Sequence, residues 1–140
     1  MDLIDTFNIS TSGLAAQRVR LQTIASNMAN ARTTRTEDGT PYRRQVPVFQ
    51  AENLDTFGTA LDRQLASVKI TAINQTQTEG RWEYDPTHPD ANADGMVEMP
   101  DIDILHEMVD LMTASRAYEA NATVVTATRD MALNALEIGR

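Results

Sequence analysis

Hydrophobic and small side chains recur every three, four or seven residues along the C-terminal part of the chain. The positions are Ile104, Met108, Leu111, Ser115, Tyr118, Ala122, Val125, Ala132 and Leu136, and only Arg129 breaks the series. This spacing puts them in one stripe along an α-helix. Because no glycine or proline lies between Pro100 and Gly139, the pattern predicts a single helix over residues 101–138. At about 1.5 Å per residue it would be about 55 Å long, so we expect it to pack on a partner helix or on neighbouring subunits.

A second amphipathic helix is predicted over residues 14–31. Its apolar positions follow the same spacing and include Leu14, Leu21, Ile24 and Met28. The start is open, because Ser10 and Ser12 are good N-cap residues for a helix beginning near Leu14, whereas Asp2 would cap a longer one. After Ala31 the pattern ends.

The segment between the two helices has a different composition. Residues 32–100 contain all five prolines and the only tryptophan. Strand-like patterns occur at residues 43–50, 68–73 and 80–84, and Pro47 predicts an edge strand or a bulge in the first of them. Residues 53–64 fit either a loop or a short helix.

These elements predict a mainly α fold with a small β-containing insert. We expect a single domain over residues 1–140, made of an N-terminal helix (1–31), the insert (32–100) and a C-terminal helix (101–140). The two apolar stripes are natural partners for each other, so the long N- and C-terminal helices are predicted to pair as an antiparallel coiled coil.

Charge and composition exclude several classes of function. With 20 acidic and 12 basic residues the net charge is −8, which argues against nucleic-acid binding. The absence of cysteine excludes disulfides, thiolate catalysis and cysteine-based zinc sites. A local basic cluster comprises Arg32, Arg35, Arg43 and Arg44, and no aromatic side chains for base stacking are interleaved with these arginines. We expect it to pair with acidic residues of a neighbouring molecule, such as Asp101, Asp103 and Glu107.

No enzyme motif is present. The sequence lacks a nucleophile elbow, a phosphate-binding loop, a dinucleotide fingerprint and a paired-histidine metal motif. His88 and His106 are therefore interpreted as a turn residue and a solvated helix residue. We predict that the protein is not an enzyme and has neither a cofactor nor a small-molecule substrate.

One loop resembles a calcium-binding loop and supplies the alternative function. Asp90, Asn92 and Asp94 alternate before Gly95, and Asp101 occupies the twelfth position. An EF-hand also needs an entering helix, which the prolines just before Asp90 oppose. The alternative to a calcium-binding domain is an Asx turn leading into the C-terminal helix.

Neither a membrane span nor a signal peptide is predicted. No apolar run approaches the roughly 20 residues that cross a bilayer. Residues 1–5 lack the basic and apolar regions of a signal peptide. If the protein leaves the cytoplasm, we expect a route without a cleaved signal peptide.

Several motifs together resemble one family. Residues 12–34 resemble the N-terminal signature of bacterial flagellar rod and hook proteins, and Ile24-Ala-Ser-Asn-Met-Ala-Asn30 is its most specific part. The segments at residues 41–45, 88–91 and 116–121 match the same family in the same order. The resemblance covers nearly the whole chain.

The resemblance implies a structural subunit of the proximal rod of the flagellar basal body, a shaft that transmits torque across the periplasm. It also implies export by the flagellar type III apparatus, and packing of the terminal helices into a tube around the export channel. The implied partners are copies of the chain, other rod proteins and the export apparatus, and a surrounding bushing ring is a further candidate.

We predict that the subunit interface uses residues from both helices. They are Leu14, Leu21, Ile24, Asn27, Met28 and Asn30 of the first helix, and Met108, Leu111, Arg116, Tyr118, Asn121 and Val125 of the second. In this prediction the polar members, Asn27, Asn30, Arg116 and Asn121, fix the register between subunits, because a buried amide without a partner is costly.

Overall fold

A computed structural model describes residues 3–53 and 65–138. It contains two long helices, α1 (Leu3–Ala29) and α2 (Ile104–Ile138), and four strands, β1 (Gln45–Asn53), β2 (Ala66–Gln75), β3 (Arg81–Tyr84) and β4 (Met96–Met99). The predicted mainly α fold, with a small β insert between two long terminal helices, is confirmed. The open question about residues 53–64 falls almost entirely on residues 54–64, outside the described part.

Helix α1 is the longer of the two predicted versions. It begins at Leu3, so the serines and threonines near residue 11 lie inside the helix and do not cap it. The Thr11 hydroxyl donates to the Phe7 carbonyl at 2.9 Å, and the Ser12 hydroxyl donates to the Ile9 carbonyl at 2.7 Å. These bonds to preceding carbonyls satisfy hydroxyl groups within a helix.

Helix α2 begins at Ile104, directly after its capping residue Asp103. One carboxylate oxygen of Asp103 accepts hydrogen bonds from the backbone N–H groups of Leu105 (2.9 Å) and His106 (3.4 Å). An aspartate in this position satisfies donors that have no partner inside the helix. The helix then runs for 35 residues, or about 52 Å. Neither helix, over the residues that the structure describes, is long and apolar enough to cross a membrane.

The insert forms two small antiparallel sheets. In the first, β1 pairs with β2 from Gln45 opposite Gln75 to Asn53 opposite Ala66, and the register shifts between Val48 and Phe49. This irregularity lies next to Pro47, where an edge or a bulge was predicted. In the second sheet, β3 pairs with β4. Three of the four strands agree with the sequence pattern, whereas β4 was not predicted.

The two helices pack against each other in opposite directions. Asn27 meets Glu107 and Arg20 meets Asp110, while Gly13 lies beside Asn121. From Asn27 to Gly13 is fourteen residues, as is the step from Glu107 to Asn121, so the two helices keep a common register. A Cβ at Gly13 would lie 2.9 Å from the Asn121 Nδ2 atom, so the helices approach closely at this glycine.

The stripe that α2 buries differs from the predicted one. Glu107, Ala114 and Thr128 are buried, and they lie seven or fourteen residues apart. Four members of the predicted stripe are exposed, namely Ile104, Met108, Tyr118 and Leu136, and Leu136 is 71% exposed. The other five are half-buried, namely Leu111, Ser115, Ala122, Val125 and Ala132. Small and polar side chains let the helices approach closely, and several larger apolar side chains of α2 lie on the outer surface.

Candidate functional site

A hydrogen-bonded group of polar side chains is centred on Asn27, which is 1% exposed. Its Nδ2 atom donates to the Gln45 carbonyl at 2.9 Å and to Glu107 Oε2 at 3.2 Å. Its Oδ1 atom accepts from the Gln45 N–H at 2.9 Å and from the Tyr42 hydroxyl at 3.1 Å. The side-chain amide of Asn27 thus pairs with the backbone N–H and C=O of Gln45, at the start of β1, as a residue of a neighbouring strand would. Both donors and both acceptor sites of this amide are used.

Glu107 carries a buried negative charge that α2 brings to this group. Its side chain is 1% exposed, and Oε1 accepts a hydrogen bond from Arg44 Nε at 2.6 Å. Arg44 and Arg20 also flank Asp110, at 3.6 Å and 3.3 Å between the charged atoms. A buried carboxylate is tolerated when it is paired with a cation and hydrogen bonded, as Glu107 is.

We call Asn27, Tyr42, Arg44, Gln45 and Glu107 the polar clasp. It joins the end of α1, the segment before β1 and the first turns of α2. We expected the basic cluster to pair with acidic residues of a neighbouring molecule, Glu107 among them. For Arg44 this was wrong, because Arg44 pairs with Glu107 of its own chain. The clasp therefore fixes the position of the insert on the helix pair.

The structure distributes the predicted interface residues over several environments. Ile24 and Asn27 are buried; Leu14, Leu21, Met28, Asn30, Leu111, Asn121 and Val125 are half-buried; and Met108, Arg116 and Tyr118 are exposed. Asn30 bonds locally, since its Nδ2 donates to the Ser26 carbonyl and its Oδ1 accepts from Thr33. The hydrogen bonds of Asn27 likewise lie within the chain, so the register that it fixes is that between α1, α2 and β1.

The loop that suggested calcium is an Asx turn. The side-chain oxygen Oδ1 of Asn92 accepts hydrogen bonds from the backbone N–H groups of Asp94 and Met96, both at 2.9 Å. Asp90 accepts a hydrogen bond from Thr34 at 2.8 Å and pairs with Arg35 at 3.7 Å. Across the described residues, no three histidine or acidic side chains converge as metal ligands would. The structure therefore does not support a calcium site formed by Asp90, Asn92, Asp94 and Asp101.

The turn just before this loop contains a carboxylate with a shifted pKa. The Thr87 hydroxyl donates to Asp85 Oδ1 at 2.7 Å, and the Thr87 N–H donates to the same oxygen at 3.0 Å. These bonds favour the charged form and lower the pKa of Asp85 below its usual value. Because Asp85 lies on the surface, the shift indicates an ordered turn and carries no argument for catalysis.

Two apolar surfaces lie at opposite ends of the helix pair. The first, which we call the head patch, consists of Ile104, Leu105, Met108, Val109 and Met112, all exposed. The second, which we call the tail groove, has a volume of about 300 Å³ and is lined by Ile4, Phe7, Thr128, Arg129, Ala132 and Leu133. Exposed apolar patches of this kind mark contacts with other molecules more often than chance exposure.

Sequence reasoning missed the clasp and the buried stripe of α2. Tyr42 and Gln45 lie in a segment that resembled the family, but their bonds to Asn27 were not foreseen. A signal was present in the seven-residue spacing of Glu107, Ala114 and Asn121, which matches the spacing of Gly13, Arg20 and Asn27 on α1. A hydrophobic pattern does not reveal this spacing, because the residues that form it are small or polar.

Two models of known protein families match the chain, one over most of α1 and the other over α2. A family model described as "Flagella basal body rod protein" matches residues 7–35, which include most of α1. A second, described as "Flagellar basal body rod FlgEFG protein C-terminal", matches residues 93–138, which include β4 and α2. The family resemblance predicted from residues 12–34 is confirmed.

Individual relatives match over the full length. The flagellar basal-body rod protein FlgC of Bacillus subtilis is 40% identical over 151 aligned residues, covering 100% of both chains. FlgC of Salmonella typhimurium is 39% identical over 140 residues, also covering 100% of both. FlgC of Borreliella burgdorferi is 38% identical, covering 99% of this chain and 98% of its own. The chain therefore belongs to the FlgC family of flagellar basal-body rod proteins.

Proposed function

We propose that the chain is a structural subunit of the proximal rod of the bacterial flagellar basal body. Its relatives are named as basal-body rod proteins, which supports a structural role in that assembly. The names of these relatives mention no enzymatic activity. In this proposal α1 and α2 pack as an antiparallel coiled coil, and many such pairs stand side by side around the export channel. The partners are copies of the chain, other rod proteins and the export apparatus.

The observation that carries the proposal is the outer surface of α2. A helix of 35 residues buries only three of its own side chains within the described chain, and each of the three is small or polar. Large apolar side chains stay exposed along the helix, among them Val109 (56%) and Met112 (58%). A monomer rarely leaves so much apolar surface open without a partner, so contacts with neighbouring subunits would cover it.

The proposed mechanical role follows from how the helices are joined. A shaft transmits torque only if each subunit resists sliding between its own elements. The clasp provides such resistance because Asn27 and Glu107 use directional hydrogen bonds that have one satisfied alignment. Packing along two long helices would then distribute the load over many neighbours. Export to the periplasm without a cleaved signal peptide belongs to the same proposal.

Complementation tests this function. The chain is expressed in a motile bacterium that lacks its own FlgC, and swimming is measured together with electron microscopy of isolated basal bodies. We expect the chain to restore complete rods, and the Val109→Asp variant to fail because it places a charge on the outer apolar face.

The control variant is Asp94→Asn, which changes an exposed turn and should restore rods as well as the original chain. A circular dichroism spectrum of purified Val109→Asp protein should match that of the original chain, which separates loss of assembly from loss of folding. Normal rods built from the Val109→Asp variant would contradict the use of this face in assembly.

A further inference from the structure

A polar cavity of about 360 Å³ lies between the β3–β4 sheet and the loop that carries the Asx turn. Trp82 and Glu98 line it from the sheet, where they are paired directly across the two strands and therefore lie on the same face. Arg35, Asp90 and Asn92 line it from the surrounding loops. Small-molecule sites in proteins usually occupy about 300 to 1,000 Å³, so the cavity has room for one small ligand.

Trp82 gives this cavity an aromatic wall. It is the only tryptophan of the chain, and it is 54% exposed. Its indole N–H donates to no acceptor within the described residues. Tryptophan is highly buried on average, and its N–H usually has a hydrogen-bond partner when it is buried. An exposed indole that lines a cavity provides a flat apolar surface on which a ligand can stack.

The polar groups around this indole include both donors and acceptors, and several are not used by the chain. The Asn92 Oδ1 atom is occupied by the Asx turn, but its Nδ2 atom donates to no group in the described part of the chain. Arg35 approaches Asp90 only to 3.7 Å, which is too long for a direct hydrogen bond. Glu98 accepts one long bond, from the Gly80 N–H at 3.3 Å, and pairs with no cation among the residues that the structure describes.

Charge and hydrogen bonding narrow the class of ligand. One basic residue, Arg35, and two acidic residues, Asp90 and Glu98, give the cavity a net charge of −1, which disfavours phosphates and other anions. A wholly apolar ligand would cover these charged groups without giving them hydrogen bonds. A neutral ligand with an apolar face and a rim of hydroxyl groups suits all of them, because each hydroxyl both donates and accepts. Sugar rings have this structure, and β-linked chains of them are flat and expose the faces of the rings.

We propose that this cavity binds a neutral β-linked oligosaccharide, with one sugar ring stacked on Trp82 and its hydroxyl groups bonded to Arg35, Asp90 and Glu98. The Asx turn, which resembled a calcium loop in the sequence, is then one wall of a saccharide site. The site uses no residue of the polar clasp or of the tail groove. Saccharide binding is therefore an activity beyond the proposed rod function and does not depend on how subunits pack.

Fluorescence of the full chain tests the proposal, because Trp82 is its only tryptophan and reports on this cavity alone. The chain is titrated with cellotetraose and, separately, with N-acetylchitotetraose, two neutral β-linked tetrasaccharides. We expect a saturable change in emission with at least one of them, with a dissociation constant of about 1 mM or lower. Added salt should leave this constant nearly unchanged, since the ligand carries no charge. Glycerol at the same hydroxyl concentration should give no saturable change.

Substitutions in the cavity separate the contributions of stacking and hydrogen bonding. Trp82→Ala should abolish binding in isothermal titration calorimetry, whereas Trp82→Phe should keep part of it because a phenyl ring still offers an apolar face. Glu98→Ala and Arg35→Ala keep the fluorescent residue and should each weaken binding by about tenfold, the usual effect of losing a hydrogen bond to a charged group. Because the Arg35 side chain is 71% exposed, its replacement tests the site even if Glu98→Ala disturbed the sheet.

Two matched controls change residues outside the cavity. Glu83→Ala removes a glutamate that is paired with Val97, on the opposite face of the same sheet. Arg32→Ala removes an exposed arginine close in sequence to Arg35. Both variants should bind the saccharide like the original chain. Circular dichroism and the melting temperature of every variant check that the fold is kept.

Three results would overturn the proposal. The first is the absence of a saturable change with either tetrasaccharide up to its solubility limit. The second is unchanged affinity in Trp82→Ala, Glu98→Ala and Arg35→Ala. The third is tighter binding of spermidine than of either saccharide, which would make the cavity a site for cations formed by the indole and the carboxylates. None of these results bears on the rod function, which the complementation experiment tests separately.

Discussion

The two ends of the helix pair are built on opposite principles. At the clasp end, the polar side chains of Asn27 and Glu107 are buried and fully bonded within the chain. At the other end, the tail groove is apolar and open, and Arg129 has no ionic partner in the described chain. Directional bonds thus fix the internal register at one end, while apolar surface stays available at the other.

The difference separates stability of the subunit from its capacity to assemble. A buried hydrogen bond contributes about 1 kcal/mol net when it is made, but an unsatisfied buried partner costs more, so the clasp penalises any shift of α1 against α2. Apolar surface is non-directional and tolerates several alignments, which makes it suited to contacts that form after folding. Substitutions at the clasp should therefore lower the free energy of unfolding, and substitutions at the tail groove should mainly change association.

The largest loss of stability is expected from Asn27→Asp. This substitution keeps the size of the side chain but replaces the donor Nδ2 with an acceptor that faces the Gln45 carbonyl and the Glu107 carboxylate. We expect the free energy of unfolding to fall by about 3 to 5 kcal/mol, because a buried charge would face two acceptors. Urea denaturation of the monomeric chain measures the change.

The control for this substitution is Asn8→Asp, on the exposed face of α1. Its effect should stay below about 0.5 kcal/mol, as for surface substitutions in general. Equal effects at Asn27 and Asn8 would show that the clasp does not hold the helix pair together.

A smaller loss is expected from Glu107→Gln, which removes the charge and keeps the shape. Arg44 would lose its closest ionic partner, whereas the hydrogen bond from Asn27 can be kept by the glutamine oxygen. We expect a loss of about 1 to 2 kcal/mol, reduced by the partial solvent exposure of Arg44. Thermal unfolding followed by circular dichroism tests it, with the exposed Glu119→Gln as control. A melting temperature unchanged by Glu107→Gln would argue against a stabilising ion pair.

The middle of the helix pair, where Gly13 meets Asn121, should show coupling between the two residues. Gly13→Ala gains helix propensity, worth about 1 kcal/mol, but its methyl group would lie too close to the Asn121 amide. In an Asn121→Ala background that obstacle is gone, so the same change should stabilise by nearly the full amount. A double-mutant cycle in urea measures the coupling, and additive effects of the two substitutions would contradict close approach at this position.

The sequence predicted the large elements of the fold because their signals are long and repetitive. Both helices and the strands β1, β2 and β3 followed from spacing and from the placement of prolines. The strand β4 was missed because four residues, Met96–Met99, give too short a pattern, and they overlap the loop that resembled a calcium site. The start of α1 stayed open because serine and threonine hydroxyls form hydrogen bonds both at a helix cap and, to preceding carbonyls, inside a helix.

The face that α2 turns toward α1 was harder to predict, for a physical reason. The hydrophobic stripe assumes that the most apolar positions are buried within one chain, and α2 instead buries Glu107, Ala114 and Thr128. Close approach of two helices selects small side chains, and a carboxylate can be buried there when it is paired with a cation and hydrogen bonded, as Glu107 is. The face of α2 that packs on α1 is indicated by the seven-residue spacing that the two helices share, which becomes visible when residues of α1 are matched with residues of α2.

The smallest effect on stability is expected at the tail groove, from Leu133→Gln. Leucine and glutamine have similar helix propensity, and Leu133 is 48% exposed, so little burial is lost in the single chain. We expect the free energy of unfolding to change by about 0.5 kcal/mol or less, but self-association to weaken severalfold because the groove loses apolar surface. The matched variant is Leu111→Gln on the half-buried side of α2, where the loss of stability should be larger and association less affected. If Leu133→Gln destabilised the dilute chain as much as Leu111→Gln does, the tail groove would belong to the folded core, and the two ends of the helix pair would not differ in role.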